Sequence, residues 1–432
     1  MSLKLVKLEN NLLARVVFVA AAAACLFTSW TFVKWNFATA ISTHLDPRLA
    51  ESRLIAEWLA EISPNDPGAH YAFAVALEKS FEPGDFERAL TEYERAAELS
   101  PNNYLMWLAL ARASSRSGNV EQAQNAFSRA LDLAPNYANV SWAYGNFLVR
   151  QNRVDEGFAL IAKAAASHPN YSGPAVVLAM QIFDNDVDRV RNVLGGGEES
   201  DVALAPVLAS LKRYDDSFNA WNRLPNDLKI SKYKELGELL IGNMAGGGQF
   251  RHAARITAVL AESDAPKPVK GEVTNSGFEN EVKLKKAGQF EWQIGEGTEP
   301  QIGLSQTHKH TGNYGLWIVF NTFETADFRQ VSQTVAVEPG SQYKFEAYYI
   351  SALKTASKLK FEIVNPTTGL VLATTSEMLP NNQWSSLTTE LVIPTDVDGI
   401  KIQLRREGCN GPACPVTGTL GLDDISITRL QK

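Results

Sequence analysis

The sequence predicts a multidomain chain: an N-terminal transmembrane helix, then an α-solenoid of stacked helix pairs, then a C-terminal antiparallel β-sandwich. Three observations carry this prediction. The run from Val16 to Val33 contains no charged residue. Prolines 64, 101, 135 and 169 recur at intervals of 37, 34 and 34 residues within similar segments ("LAEISPND", "AAELSPNN", "ALDLAPNY", "AAASHPNY"). After residue 272 the apolar pattern changes to short alternating runs separated by Gly, Pro and Asn. A fixed period in the mid-thirties marks a stacked helical array. Evenly spaced alternating runs mark a sandwich.

The anchor comes first in the chain. Residues 1–15 hold Lys4, Lys7 and Arg15 against Glu9, and "VVFVAAAAACLFTSWTFV" follows. Its length is near that of a helix crossing the hydrocarbon core. Basic residues before it predict a cytoplasmic N-terminus, and Trp30 and Trp35 suit the far interface. A cleaved signal peptide has a shorter apolar region ending at a small-residue site. "ATA" (38–40) offers such a site only after a long bulky stretch containing Lys34, and "AAAC" (22–25) lacks the aliphatic residue of a lipoprotein box. An uncleaved signal-anchor over 16–33 is therefore expected, with the bulk of the chain in the periplasm of a bacterium.

Residues 46–62 read as an amphipathic helix with Leu49, Leu54, Trp58 and Ile62 near one face, capping the array. Within the repeats, Ala96, Ala130 and Ala164 lie five residues before their prolines, and Ala89 and Ala123 lie twelve before. Small residues there let paired helices approach, while Trp107, Leu110 and Phe127 fill the space between pairs. Each proline stops a second helix, because its ring has no N–H and disfavours helical angles before it. This pattern, best seen in Trp107, Leu110, Ala111, Ala123, Phe127, Ala130 and Pro135, resembles the tetratricopeptide repeat. The resemblance implies helix–turn–helix units that hold protein partners in a groove. Tyr71, Tyr104, Asn139 and Tyr144 are the candidate groove residues. Helices continue with a fading period to 262, through "GPAVVLAMQIF", "DVDRVRNVL", a flexible "GGGEES", "YDDSFNAWNRL" and "QFRHAARITAVLAE". The solenoid is set at 46–262 and a Pro-containing linker at 263–271.

Over 272–432 the order of landmarks, "NSGFEN", "FEWQI", "TGNYGLWI", "VSQTVAVEPGSQYKFEAYY", "NNQWSSLTTELVIP" and "GLDDISI", resembles the galactose-binding-like jelly roll of carbohydrate-binding modules. That resemblance implies a structural calcium held by Glu279 and Asp423, since calcium takes several hard oxygens. The plain alternative is that these acids cap strands and pair with lysine. A sugar site needs flat aromatics beside amides and charges; Trp317, Phe323, Phe328 and Tyr314, with Asn321 and Arg329, are the candidates. Trp292 and Trp384 are assigned to the core or its rim.

His308 and His310 flank Lys309 with no third ligand indicated, which reads as a solvated loop. Cys409 and Cys414 sit five apart in a Gly/Pro loop; in an oxidising compartment they are expected to form a disulfide, and the further ligands a zinc site needs are absent.

The net charge of −7, from 41 Lys+Arg against 48 Asp+Glu, and the lack of a basic stripe exclude nucleic acid as the main partner. No nucleophile elbow, phosphate loop, zinc-protease helix or dinucleotide fingerprint occurs in the sequence, so no enzyme is predicted. The expected role is a non-catalytic envelope scaffold: the solenoid binds protein partners and the sandwich contacts surface polysaccharide. A pure protein–protein scaffold and an unrecognised glycan-processing enzyme are the alternatives.

Overall fold

The computed structural model describes residues 12–47, 49, 51–80, 82–324, 328–409 and 413–431. Two compact units divide at Phe183/Asp184.

The first unit opens with α1 (Leu12–His44), a single 33-residue helix whose 18-residue apolar window has a mean hydropathy of 2.1 and is not buried. The helix expected over 16–33 thus continues well beyond Val33. Next come α2 (Ser52–Ile62), α3 (Pro67–Ser80), α4 (Asp85–Leu99), α5 (Tyr104–Ser117), α6 (Val120–Leu133), α7 (Ala138–Arg150), α8 (Val154–Ser167) and α9 (Ser172–Ile182). The helix expected from residue 46 begins only at Ser52, whose hydroxyl donates to the Asp46 carbonyl (2.5 Å) and closes the preceding turn. Pairs α3–α4, α5–α6 and α7–α8 are the three repeats, and Pro101, Pro135 and Pro169 each follow the end of a second helix. The alanines behave as predicted: Ala89, Ala96, Ala111, Ala123, Ala130 and Ala164 are fully buried. Side-chain oxygens of Asn103 and Asn119 accept the free N–H groups at the starts of α5 and α6. The turns are also tied from the following repeat. Lys163 Nζ donates to the Pro135 carbonyl (2.6 Å) and an Arg129 guanidinium nitrogen to that of Pro101 (3.3 Å).

The second unit holds α10 (Val187–Val193), α11 (Glu198–Ser210), α12 (Tyr214–Arg223), α13 (Asn226–Ser231), α14 (Lys234–Gly246) and α15 (Phe250–Leu260). Residues 198–200, expected to be flexible, start α11, where Glu198, Glu199 and Asp201 fill the first turn and oppose the helix dipole. The strands follow: β1 (Gln293–Ile294), β2 (Gln301–Ser305), β3 (Gly315–Glu324), β4 (Val331–Ala336), β5 (Gln342–Ser351), β6 (Lys354–Thr355), β7 (Leu359–Val364), β8 (Val371–Thr374), β9 (Ser385–Val392), β10 (Gly399–Arg406) and β11 (Ala413–Arg429). One sheet runs β1-β4-β10-β7-β8 and the other β2-β3-β11-β5-β9, with β6 beside β11; all pairs are antiparallel. Between the sheets Leu316, Ile318, Phe320, Phe345, Phe361, Ile363, Ile400, Ile402 and Leu420 form one buried core.

The helices of this unit are built onto the sandwich, which is why no compact boundary falls at 263–271. Asp398, just before β10, accepts from the backbone N–H of Phe250 (2.8 Å) and Arg251 (3.3 Å), capping α15 from a site 148 residues away in sequence. Gly399 leaves room for the Phe250 ring, which a Cβ there would meet at 2.4 Å. Segment 263–271 is irregular, and the Gly271 amide donates to the Ala336 carbonyl (2.8 Å).

Candidate functional site

Three surfaces carry the candidate residues: the outer face of the β3-containing sheet, the edge where the sandwich's first and last segments meet, and the helical array.

Along β3, Leu316, Ile318, Phe320 and Thr322 point into the sandwich, so Trp317, Val319, Asn321 and Phe323 point out. The alternation brings Trp317, Asn321 and Phe323 onto one face, with Phe323 65% exposed. The face of Trp317 is not open, however. The loop after β2 folds back and lays the His308 ring on it, with centroids 3.7 Å apart and planes at 18°. Beneath, Gly421 on β11 allows the indole to lie close, since a Cβ there would meet it at 3.0 Å. His310 likewise stacks on Tyr348 of β5 (3.9 Å, 13°), near Trp384. The two histidines therefore lie on separate aromatic supports of one sheet face. Neither was legible as such from "THKHTG" alone.

The other expected sugar contacts are employed elsewhere. Phe328 packs beside Phe320 (6.4 Å) as a satellite of the core. Arg329 Nε donates to the Gly295 carbonyl (3.1 Å), with a second nitrogen near that of Pro300, so its guanidinium clamps a loop. The Tyr314 hydroxyl accepts from the Gln306 amide (3.0 Å).

Glu279 and Asp423 do lie close to each other, around Gly277. Their oxygens face hydrogen-bond donors. Glu279 accepts from the backbone amides of Asn313 (2.8 Å) and Tyr314 (3.1 Å) and from the Asn313 side chain. The backbone amides of Tyr314 and Asn313 hold its carboxyl below the usual range. Asp423, fully buried, accepts from the amides of His310 (2.7 Å), Thr311 (3.2 Å) and Asp424. Burial pushes its pKa up despite those donors. Asp424 takes His310 Nδ1 (2.7 Å) and the Thr311 hydroxyl. Among the described residues no group of three or more His, Cys, Asp or Glu gathers in a way that would hold a cation. As arranged, the two acids stitch chain segments together. Cys409 and Cys414 are joined as a disulfide, with Cα atoms 5.4 Å apart.

In the array, the four candidate groove residues serve mostly as packing. Tyr144 is buried and stacks on Phe127 (5.3 Å, 5°). Tyr104 lies against Tyr137 (4.8 Å) and Tyr71 against Tyr93 (5.9 Å). Asn139 is half-buried, with its side-chain oxygen unpartnered. The open surface lies further along the same helices. A hollow of about 450 Å³ between α5 and α7 is lined by Arg112, Ser115, Arg116, Trp142, Asn146 and Arg150. The spacing of Arg112 and Arg116, and of Asn146 and Arg150, is i,i+4, which sets each pair on one helix side. That was the available sequence signal. Arg116 pairs with Glu78 of the preceding repeat (2.9 Å), whereas Arg112 and Arg150 are exposed and have no carboxylate partner among the described residues. Trp142 leans on Tyr171 (5.2 Å). Between α4 and α6 a second hollow carries the opposite charge, from Glu94, Glu98 and Glu121.

Two tetratricopeptide repeat models match the chain, over residues 80–130 and 108–172. No curated protein matches it. Among solved structures, MamA from Desulfovibrio magneticus RS-1 is similar at 18% identity, covering 38% of this chain and 93% of that one, with a TM-score of 0.31. TmCBM61, solved with beta-1,4-galactotriose, is 16% identical over 36% of this chain and 96% of its own, with a TM-score of 0.26. The enzymatically active domain of bacteriophage CBA120 tailspike protein 4 is 12% identical over 37% of this chain, with a TM-score of 0.27; the match spans 21% of that chain.

Proposed function

We propose that this chain is a non-catalytic scaffold anchored in a bacterial inner membrane, whose tetratricopeptide array holds an acidic segment of a protein partner in the envelope. The observation that carries this reading is the hollow between α5 and α7. Three guanidinium groups converge there with one acidic partner between them. Three positive charges offset by a single carboxylate favour an anionic ligand. The ligand favoured is an acidic peptide, because stacked helical repeats present an extended surface that holds a peptide or a partner's helix. The exposed apolar helix α1 supports anchoring, and the positive residues before it support a cytoplasmic N-terminus with both folded modules in the periplasm. The Cys409–Cys414 bond suits that oxidising side. Surface-polysaccharide synthesis, export or attachment is the process such an adaptor would serve.

The test is titration of the full chain, in nanodiscs, with a fluorescent hexaglutamate peptide. Saturable binding that weakens as salt rises, and at least about tenfold in Arg112→Glu and Arg150→Glu, is expected. Equal affinity in those variants would remove the groove from the account.

A second reading, glycan contact by the sandwich, is favoured by exposed Phe323 beside Asn321 on the outer face of β3. Saturable binding to a bacterial polysaccharide, lost in Phe323→Ala, would make the sandwich a glycan receptor. A folded protein that binds none of a broad panel would leave it a structural module.

A further inference from the structure

Helix α2 is the end of the array, and two of its sides are accounted for. Ala56, Leu59 and Ala60 are buried against the neighbouring helices. Arg53 reaches Glu82 (2.5 Å) and Asp85 (3.0 Å), and Glu57 reaches Arg88 (2.7 Å), so the charged side turns toward the first repeat. The outermost side bears Leu54, 70% exposed, Trp58, 47% exposed, and Ile55, 38% exposed. A terminal helix in water needs a polar outer surface; here the exposed Glu51 and Glu61 hold only the two ends of that side, and Leu54, Ile55 and Trp58 stand exposed between them.

What lies beside it is the anchor. The Phe37 and Trp58 rings meet edge to face at 6.0 Å, Ala38 of α1 shares a small core with Leu59 and Ala69, and the Thr39 hydroxyl donates to Asp66 (2.9 Å). Helix α1 is unbroken between Val33, where the uncharged run ends, and Phe37. At about 1.5 Å per residue, Phe37, which the Trp58 ring contacts, stands roughly 6 Å beyond that end. The interfacial layer on each side of a bilayer is about 5–7 Å deep. Trp35 and Phe37, each 46% exposed, stand within that distance of the run's end; aromatic rings are favoured in such a layer.

We infer that α2 is an interfacial helix: its apolar side, led by Trp58, rests in the headgroup layer of the membrane that α1 crosses, and thereby holds the first repeat against the bilayer. The inference rests on the reading of α1 as a membrane anchor. Its occupant is lipid, because the exposed side continues the apolar surface of α1.

The test uses the full chain in nanodiscs, in a Cys25→Ser background with the disulfide intact. A polarity-sensitive fluorophore is attached at Trp58→Cys, at Phe27→Cys inside the anchor, or at Glu121→Cys on the second repeat. Headgroup-labelled quencher lipids should reduce emission at position 58 more than about twofold and leave position 121 unchanged. Aqueous iodide should do the reverse. Iodide quenching at 58 equal to that at 121, with position 27 quenched only by acyl-chain quenchers, would overturn the inference while leaving the anchor intact. Failure of acyl-chain quenchers at 27 would remove the anchor itself. Shielding at 58 from both quencher types, together with a doubled particle mass, would assign the face to a second copy and also overturn the inference.

Discussion

At the residue scale, Asp423 ties β11 to the loop after β2. It is fully buried and takes three backbone amides, one of them its neighbour's. Asp423→Ala should cost about 2–4 kcal/mol, because the His310 and Thr311 amides lose their acceptor in a buried site. Since those donors occupy its oxygens, a calcium chelator should leave the melting temperature of the wild type unchanged; a fall of several degrees would restore the cation. His70 supplies the pH dependence. Burial alone would lower its pKa, but Glu92 (2.5 Å) and the Pro64 carbonyl (3.0 Å) outweigh that and raise it. A raised folded pKa means the contribution is complete below the unfolded value, near about 6.5, and is lost as pH rises through the folded value. Melting between pH 5.5 and 8.5 should therefore fall more in the wild type than in His70→Gln. Equal slopes would refute the assignment.

At the element scale, how well the sequence could be read depended on periodicity. The repeats over 67–169 were legible because each alanine and proline recurs at a fixed offset, and the helices form where those offsets require. The crossing of α7 and α8 was not legible in the same way. Gly145 and Gly157 meet there, and a Cβ on Gly145 would stand 2.7 Å from the Gly157 carbonyl and 2.8 Å from Ile161. Gly145→Ala should destabilise by about 1–3 kcal/mol through overpacking, measurable by chemical denaturation. The α15–sandwich junction was invisible for a different reason. Its cap, Asp398, is remote in sequence and lies in "PTDVDGI", which reads as an ordinary turn. The surroundings of the candidate site residues were the least legible, because alternation assigns residues to faces without saying what covers a face. It could not show that His308 lies on Trp317, nor that Tyr144 stacks inward on Phe127 while Arg112 and Arg150 remain open.

At the scale of the whole molecule, the chain divides into two compact units. Asp398 makes the last helix pair and the sandwich one body. Asp398→Ala should cost about 1–2 kcal/mol and raise hydrogen exchange in α15 before the strands respond. The central claim is that a protein partner is held between α5 and α7. The most direct measurement places a photocrosslinking amino acid at Ser115, at Asn146 or, as control, at Glu121, in the full chain within the membrane of the producing cell. The account predicts one and the same protein crosslinked from Ser115 and Asn146, nothing from Glu121, and loss of the product when Arg112 and Arg150 are both changed to Glu. Equal crosslinking from Glu121, or none from either groove position in a chain that reaches the membrane, would contradict it.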